Sequence, residues 1–161
     1  MTKRYGVVLV AVLVSSCAIA IRQEAIEKAQ KEDSPIAITH ISPSVPNSAG
    51  GVDAYIRFVN ISEHIIKYVV IEAAPYNRVG DLAPSEIGGA TRTRLRSTGP
   101  YERDEGNAGS YWQNVWYNHS ISCIEVKRID IEFMNGENGT LTKSELDNIL
   151  PKNVENNCSA E

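Results

Sequence analysis

The sequence predicts a mainly β protein, an antiparallel β-sandwich with a short helical segment near each end. The clearest indication lies in residues 52–59, where apolar residues at positions 52, 54, 56 and 58 alternate with Asp53, Tyr55 and Arg57, as on a strand with one buried face. Further short runs of β-forming residues follow, separated by turns rich in Gly, Pro and Asn. Helical and strand patterns do not alternate along the chain as in parallel α/β proteins, which favours the antiparallel sandwich.

Six strands are predicted, at residues 36–41, 52–59, 65–74, 91–97, 110–118 and 121–133. Residues 60–64 form a short turn, so the second and third strands are expected to pair as a hairpin. The third is almost continuously apolar, which predicts a central strand covered on both faces. Arg92, Arg94 and Arg96 alternate along the fourth, which predicts an edge strand with outward charges that discourage further pairing. The acidic loop after it, residues 98–109, is expected to be mobile.

Two local features follow from the residues near the C-terminal end. In the last strand the apolar residues before position 127 are out of phase with those after it, so a β-bulge near Lys127 and Arg128 is predicted. Residues 140–150 are predicted to form a short helix, with Thr142 as N-cap, Glu145 completing a capping box and Pro151 after the end.

The first twenty residues have the pattern of an export signal. Lys3 and Arg4 precede a nine-residue apolar run, residues 6–14, which is too short to span a membrane as a helix. Residues 14–17, Val-Ser-Ser-Cys, resemble the lipobox of bacterial lipoproteins. The resemblance implies cleavage before Cys17, diacylglycerol on its sulfur and acylation of the new amine. Two or three acyl chains make a stable anchor where one would be marginal.

We therefore interpret residues 1–16 as a signal peptide, residues 17–34 as a lipidated tether and residues 35–161 as the folded domain. In Gram-negative lipoproteins an Asp directly after the cysteine is typical of retention in the inner membrane. This chain has Ala18 at that position, which favours the outer membrane. Two alternatives stay open. Residues 18–20, Ala-Ile-Ala, would suit an ordinary signal peptidase, which would release a soluble secreted protein beginning at Ile21. In the second alternative the N-terminal segment is not cleaved, and Cys17 is an ordinary residue within it.

The segment after Cys17 has a weak helical pattern. Ile21, Ala25, Ile26 and Ala29 recur at helical spacing among charged residues. This predicts either a weak amphipathic helix or a charged tether that holds the domain away from the membrane.

Composition argues against a nucleic-acid partner. The chain has a formal charge of −4 and no Lys/Arg cluster, and loss of residues 1–16 removes Lys3 and Arg4 and leaves a charge of −6. The 145 residues that remain suffice for one domain with a core.

The remaining cysteines, Cys123 and Cys158, predict a disulfide in an oxidising compartment. Such a bridge closes a loop of about 35 residues, contributes about 3 kcal/mol in the chain-entropy model, and pins the tail to the last strand. The alternative is a pair of unpaired thiols.

Several segments together resemble a family of small bacterial β-sandwich modules. Asn60 and Ser62 match an N-x-S turn, and residues 76–81 match a Y-[DN]-x-x-G-D turn through Tyr76, Asn77, Gly80 and Asp81. Gly99-Pro100 precedes a loop where such modules carry a Pro-Gly-Glu-like turn. Over residues 51–136 the chain is similar to FxLYD-type and related immunoglobulin-like modules of envelope lipoproteins, although it lacks a Phe-x-Leu-Tyr-Asp run. The family carries no known catalytic residues, so the resemblance implies none here.

The aromatic strand 110–118 is the main candidate for binding. Trp112 and Trp116 share one face and Tyr111, Val115 and Tyr117 the other, so one set is expected in the core and the other on a surface, unless both are covered. The predicted binding surface consists of Tyr76, Asn77, Asp81, Tyr101, Trp112, Trp116 and Tyr117.

No enzymatic motif, cofactor or metal site is predicted. Residues 134–145 match the later positions of a calcium loop, but Met134 and Gly136 offer no side-chain oxygen at its first ligand positions. The predicted function is therefore a non-enzymatic, lipid-anchored envelope protein that binds a protein or an envelope glycan. One alternative is a periplasmic inhibitor or immunity protein whose acidic loop, residues 101–106, enters the cleft of a basic hydrolase; another is a hydrolase that uses His64 or His119.

Overall fold

The computed structural model describes the backbone of residues 6–158 and the side chains of residues 17–158. The predicted signal peptide lies outside these residues, apart from the helical backbone that begins at Gly6. The elements are α1 (Gly6–Lys31), β1 (Ile36–Pro43), β2 (Gly51–Asn60), β3 (Ile66–Asn77), β4 (Thr93–Tyr101), β5 (Trp112–Tyr117), β6 (Ile121–Phe133), β7 (Asn138–Thr142) and α2 (Lys143–Ile149). Within the described chain no helix meets the length and hydropathy of a membrane span.

The strands form two antiparallel sheets, which confirms the predicted sandwich. One sheet has the order β1-β2-β5 and the other the order β4-β3-β6-β7, the Greek-key connectivity of an immunoglobulin-like sandwich. The inward faces of both sheets are apolar and completely buried, with Phe58, Ile71, Trp116 and Ile129 among the largest side chains between them. This core explains the period-two pattern seen in the sequence.

The predicted hairpin of the second and third strands is wrong. β2 pairs with β1 and β5, whereas β3 pairs with β4 and β6, so the turn after Asn60 carries the chain from one sheet to the other. The Asn60 side chain shapes this crossover: its amide donates to the carbonyls of His64 and Tyr101, and its oxygen accepts from Ser62. A short loop does not distinguish a hairpin from a step between packed sheets.

β3 is central in its sheet, as predicted, but only one of its faces is fully covered. Val69, Ile71 and Ala73 point into the core, while Tyr68 and Val70 on the outer face are half-buried. β4 is an edge strand with exposed arginines, also as predicted.

The bulge predicted in the last strand is present in β6. Glu72 of β3 pairs with Arg128 and Ala73 pairs with Val126, so Lys127 is the additional residue. The extra residue returns the apolar side chains on both sides of it to the buried face.

The C-terminal segment folds only in part as predicted. Residues 138–142 pair with β6 as a seventh strand that was not predicted, so the helix begins at Lys143 and not at Thr140. The β6–β7 hairpin turns at Gly136, whose φ of 88° favours glycine, and α2 begins with the capping box of Thr142 and Glu145. The disulfide Cys123–Cys158 joins the tail to β6. The tail is also joined to β6 by Asn156, whose side chain accepts a hydrogen bond from the Val126 N–H at 2.6 Å and donates one to the Val126 carbonyl at 3.0 Å.

Helix α1 lies against the sandwich and is not a free tether where its side chains are described. Ala25 and Ala29 are 0% exposed and belong to the hydrophobic core. Lys28 donates to the Leu150 carbonyl at 2.6 Å, and the Glu24 carboxylate accepts from the Lys152 N–H at 3.0 Å. The residues that predicted a weak amphipathic helix therefore form the face of α1 that packs on the sandwich, with Ala25 and Ala29 buried and Ile21 and Ile26 partly buried beside them.

Candidate functional site

Cys17 lies close to the point where α1 meets the sandwich. Its thiol is exposed and free. Four residues later Ile21 packs against the core, a distance of about 6 Å along a helix. Ala18, Ile21 and Arg22 line a groove of about 660 Å³ with residues of the three-stranded sheet that include Thr39 and Arg57. The Arg22 guanidinium donates to the Asp104 carbonyl at 2.8 Å and fixes this turn of the helix.

The residues of the predicted aromatic surface do not form one patch. Trp116 is 0% exposed, so its assignment to a binding surface is wrong: it pairs with Val52 on the inward face and fills the core. Its Nε1 group has no hydrogen-bond partner among the described residues. Tyr101 packs edge-on against Phe58 and shares a 2.6 Å hydrogen bond with Ser97. It is therefore a partly buried residue at the boundary of the core.

Trp112 faces the same side as Trp116, as predicted, but it closes the gap between the two sheets. It pairs with Ala54 of β2, and its indole N–H donates to the Arg96 carbonyl of β4 at 3.0 Å. This contact occupies a backbone acceptor on the free edge of β4. Trp112 is therefore a half-buried structural residue in this fold.

The other predicted residues lie at the opposite end of the sandwich, where β3 and β5 finish. Asn77 lines a groove of about 640 Å³ that is flanked by the strongly exposed Val45 and Val79. Its side-chain oxygen accepts hydrogen bonds from the N–H groups of Val79 and Asp81, so it shapes the turn. Lys127 lies over the ring of Tyr76, and Tyr117 pairs with Gly51 at the end of β5.

The acidic loop, which was predicted to be mobile, is joined to the sandwich by backbone and side-chain hydrogen bonds. The Asn107 side chain is buried and bonds to both Phe58 N–H and the Ile56 carbonyl, at 2.9 and 2.8 Å. At Gly106 any Cβ would collide with the Phe58 carbonyl, so only glycine allows this approach. Asp104 and Glu105 exchange backbone hydrogen bonds with Asn60, which leaves the acidic side chains exposed on a fixed backbone.

A surface that the sequence did not identify as a site covers the outer side of the four-stranded sheet. We call it the arginine face. Its residues on the paired strands are Tyr68, Val70, Glu72, Arg94, Arg96, Arg128, Asp130, Glu132 and Thr140, and ion pairs to Glu132 and Glu72 add Lys67 and Arg92. Pairing aligns its residues in rows across the strands, with Arg96, Val70, Asp130 and Thr140 forming the central one. A depression of about 450 Å³ lies over this row.

Ion pairs join the carboxylates of the arginine face to its cations. Glu72 accepts from Arg92 at 3.0 Å, and Glu132 accepts from Lys67 at 2.6 Å. Asp130 lies between Arg94 and Arg128, at 3.2 and 2.7 Å.

These contacts shift two pKa values. Partial burial opposes ionisation of Asp130, but hydrogen bonds from Arg128 and Thr140 and the charges of Arg128 and Arg94 outweigh it, so the pKa of Asp130 is lowered. The hydrogen bond to Glu132, together with its charge, raises the pKa of Lys67.

Arg96 differs from the other cations of the face. Its guanidinium carbon lies 3.6 Å from the centroid of the Tyr68 ring, in a cation–π contact. Among the described residues no carboxylate lies within 4.0 Å of it. A stacked guanidinium keeps its N–H donors around the edge of its plane, where an incoming acid can reach them.

The histidines do not assemble into a catalytic group. His40 is bonded to Ser42 at 2.8 Å, and burial together with the charge of Arg57 lowers the pKa of His40. His64 lies 3.6 Å from Glu137, whereas His119 lines the groove at the other end. In the described part of the chain no three His, Cys, Asp or Glu side chains are placed to hold a metal ion.

The signal for the arginine face was present in the sequence but incomplete. Arg92, Arg94 and Arg96 were recognised as outward charges on an edge strand. Tyr68, Arg128 and Asp130 occupy the corresponding alternating positions of β3 and β6, but only the strand order brings them beside β4. Comparison with protein-family models, curated proteins and solved structures gives no match, so no role is transferred to these residues from a relative.

Proposed function

We propose that this protein is a non-enzymatic, lipid-anchored binding module of the bacterial envelope. The observation that carries the anchor is the state of the cysteines: Cys123 and Cys158 form the disulfide, and Cys17, last residue of the lipobox-like sequence, is exposed at the turn before α1 meets the sandwich. An acyl group on that sulfur would meet no buried side chain. The resemblance to FxLYD-type modules is in keeping with this function and stays a prediction.

Binding is supported by the arginine face, which combines a depression, half-buried Tyr68 and Val70, and a guanidinium that has no carboxylate partner within the described part of the chain. Exposed surfaces with convergent polar groups around an apolar centre are typical of interaction sites. The partner would be a protein or an envelope glycan, and neither a cofactor nor nucleic acid is required.

The acidic loop supports a second candidate function. Because its backbone is fixed by Asn60 and Asn107, the exposed side chains of Glu102 and Asp104 are presented without a large ordering cost. An inhibitor or immunity protein could use such a loop against a basic cleft. That partner would be cationic, opposite in charge to one recognised by Arg96.

The first test of the anchor is the intact mass of the full chain expressed in a Gram-negative host, alongside a Cys17→Ser control. We expect a chain that begins at Cys17 and carries acyl groups, and an increase of two hydrogens on reduction of the Cys123–Cys158 disulfide. The control should carry no acyl group. A wild-type chain that begins at Ile21 without acyl groups would identify a soluble secreted protein and would refute the anchor.

A further inference from the structure

We infer that the arginine face is the docking surface for an acidic protein partner, whose surface carboxylates bind Arg96 and the arginines beside it. The inference rests on the proposed binding function and specifies both the surface and the chemistry of the partner. It does not depend on whether Cys17 is acylated.

The first argument is the local charge. The face carries five cations, Lys67, Arg92, Arg94, Arg96 and Arg128, and three carboxylates, Glu72, Asp130 and Glu132. Its formal charge is therefore +2 in a chain whose total is −4, so the rest of the chain carries −6. A cationic surface on an acidic protein steers anionic partners toward one side of the molecule.

The second argument is the type of cation. Four of the five are arginines, and a guanidinium fork matches a carboxylate in a bidentate pair. Tyr68 holds Arg96 by stacking, so little side-chain freedom is lost when an acid binds its exposed edge. Arg96 also borders the depression over Val70 and Thr140, which offers apolar contact beside the charge.

The neighbouring arginines are available at low cost. The side chains of Arg92 and Arg94 are 63% and 66% exposed in their ion pairs. Exposed pairs of this kind contribute about 0–1 kcal/mol, so a partner carboxylate can share or replace them.

The carboxylates of the face argue for a protein over a uniform polyanion. Glu72, Asp130 and Glu132 would repel a dense row of phosphates or sulfates, whereas a protein surface can place its own cations opposite them. A sugar ring would normally stack on an exposed aromatic face, but Arg96 covers that face of Tyr68. A membrane that holds Cys17 would lie beside the other sheet, because Ala18 and Ile21 line one groove with Thr39 and Arg57 of that sheet.

The partner is expected to bind the face and not to extend the sheet as a further strand. The Arg96 carbonyl on the free edge of β4 already accepts a hydrogen bond from Trp112. A symmetric dimer through this face is also disfavoured, since it would bring arginines opposite arginines.

The inference can be tested with the full chain in non-ionic detergent and an acidic peptide of four Glu-Glu-Lys repeats as probe, because its lysines can lie opposite the carboxylates of the face. Backbone amide NMR shifts on titration should be largest at residues 93–98, 68–72 and 128–132. Affinity should fall steeply between low and physiological salt. Arg96→Gln should weaken binding by about threefold, and the double variant Arg94→Gln/Arg96→Gln by about tenfold. Arg57→Gln, which removes an exposed arginine from the other sheet, is the matched control and should leave the affinity unchanged.

Any of the following results would overturn the inference: no binding of the acidic peptide, shifts centred outside the arginine face, an equal loss of affinity in Arg57→Gln, or tighter binding at this face of polyphosphate or anionic vesicles than of the acidic peptide. Binding of decalysine at residues 101–106, with no binding of the acidic peptide, would favour the inhibitor function instead. Folding of each variant is checked by its own NMR spectrum. Because intact mass is measured separately, failure here would leave the evidence for the lipid anchor unchanged.

Discussion

Three buried asparagine side chains, Asn60, Asn107 and Asn156, form hydrogen bonds with backbone groups at positions where the strands are irregular. Asn60 bonds to the crossover between the sheets, Asn107 to the edge of β2, and Asn156 to the bulge of β6. A buried backbone group without a partner costs about 1–3 kcal/mol, so each amide stabilises a departure from regular pairing. Nothing in the sequence distinguished these asparagines from ordinary turn residues, because each of them has a partner that lies 30 or more residues away along the chain.

Asp130 of the arginine face makes the stability of the fold depend on pH. Its pKa is lowered in the folded state, so its contribution to stability is present above the ordinary carboxyl pKa of about 3.9 and is lost as the pH falls through the folded value. We expect Asp130→Asn to destabilise the fold by about 1 kcal/mol at pH 7. The difference from wild type should shrink on acidification below about pH 4. Urea unfolding followed at several pH values measures this difference.

Asp81→Asn removes an exposed carboxylate for which no ion pair is seen among the described residues, and it controls for the loss of one negative charge. A gap between wild type and Asp130→Asn that stays constant from pH 7 to pH 2 would contradict the role of Asp130.

Among the elements, α1 makes the contact that most changes the expected organisation. Ala29 is 0% exposed against the sandwich and Gln30, the next residue, is exposed. Ala29→Glu should therefore undock the helix by burying a charge without a partner, whereas Gln30→Glu adds the same charge to solvent. Hydrogen exchange should rise throughout residues 21–31 in Ala29→Glu and remain at the wild-type level in Gln30→Glu. Equal exchange in the two variants would mean that α1 is not held by this packing.

Features that depend on a few neighbouring residues could be predicted from the sequence, whereas the pairing of β2 and β3 could not. The bulge in β6 and the capping box of α2 follow from phase and spacing within a few residues. The hairpin expected between β2 and β3 failed because loop length is compatible with both a hairpin and a crossover. Likewise, the spacing of Ala25 and Ala29 predicted a helix but contained no information on what would cover such small side chains.

At the scale of the whole molecule, the sandwich and its disulfide were predicted, but the candidate site was assembled differently. The aromatic residues proposed for one surface are divided between the core, the junction of the sheets and the far end, as Trp116, Trp112 and Tyr76 show. The arginine face instead depends on β3 lying between β4 and β6. Long-range strand order of this kind decides which alternating residues become neighbours, and a single strand's pattern does not specify it.

The docked helix and the two outer sheet faces would together fix the orientation of the domain at a membrane if Cys17 is acylated as we propose. Cys17 lies about 6 Å along the helix from Ile21, so the acyl chains would hold the three-stranded sheet close to the bilayer. The arginine face would then point away from it, separated by the thickness of two packed sheets, about 10 Å, and their side chains. This geometry leaves Arg96 accessible to a partner in the surrounding compartment.

We expect this orientation to be visible in lipid nanodiscs that contain nitroxide-labelled lipids. Amide signals of Thr39 and Arg57, which lie on the side of Cys17, should broaden strongly in the acylated full chain, while those of Arg94 and Arg96 should broaden little. Ala29→Glu provides the comparison, because an undocked α1 would act as a flexible linker and make broadening weak on both sheets. Equal broadening of the two sheets in the wild-type protein would show that α1 does not orient the domain. Stronger broadening at Arg96 would mean that the arginine face binds the membrane itself, and the acidic protein partner would then be excluded.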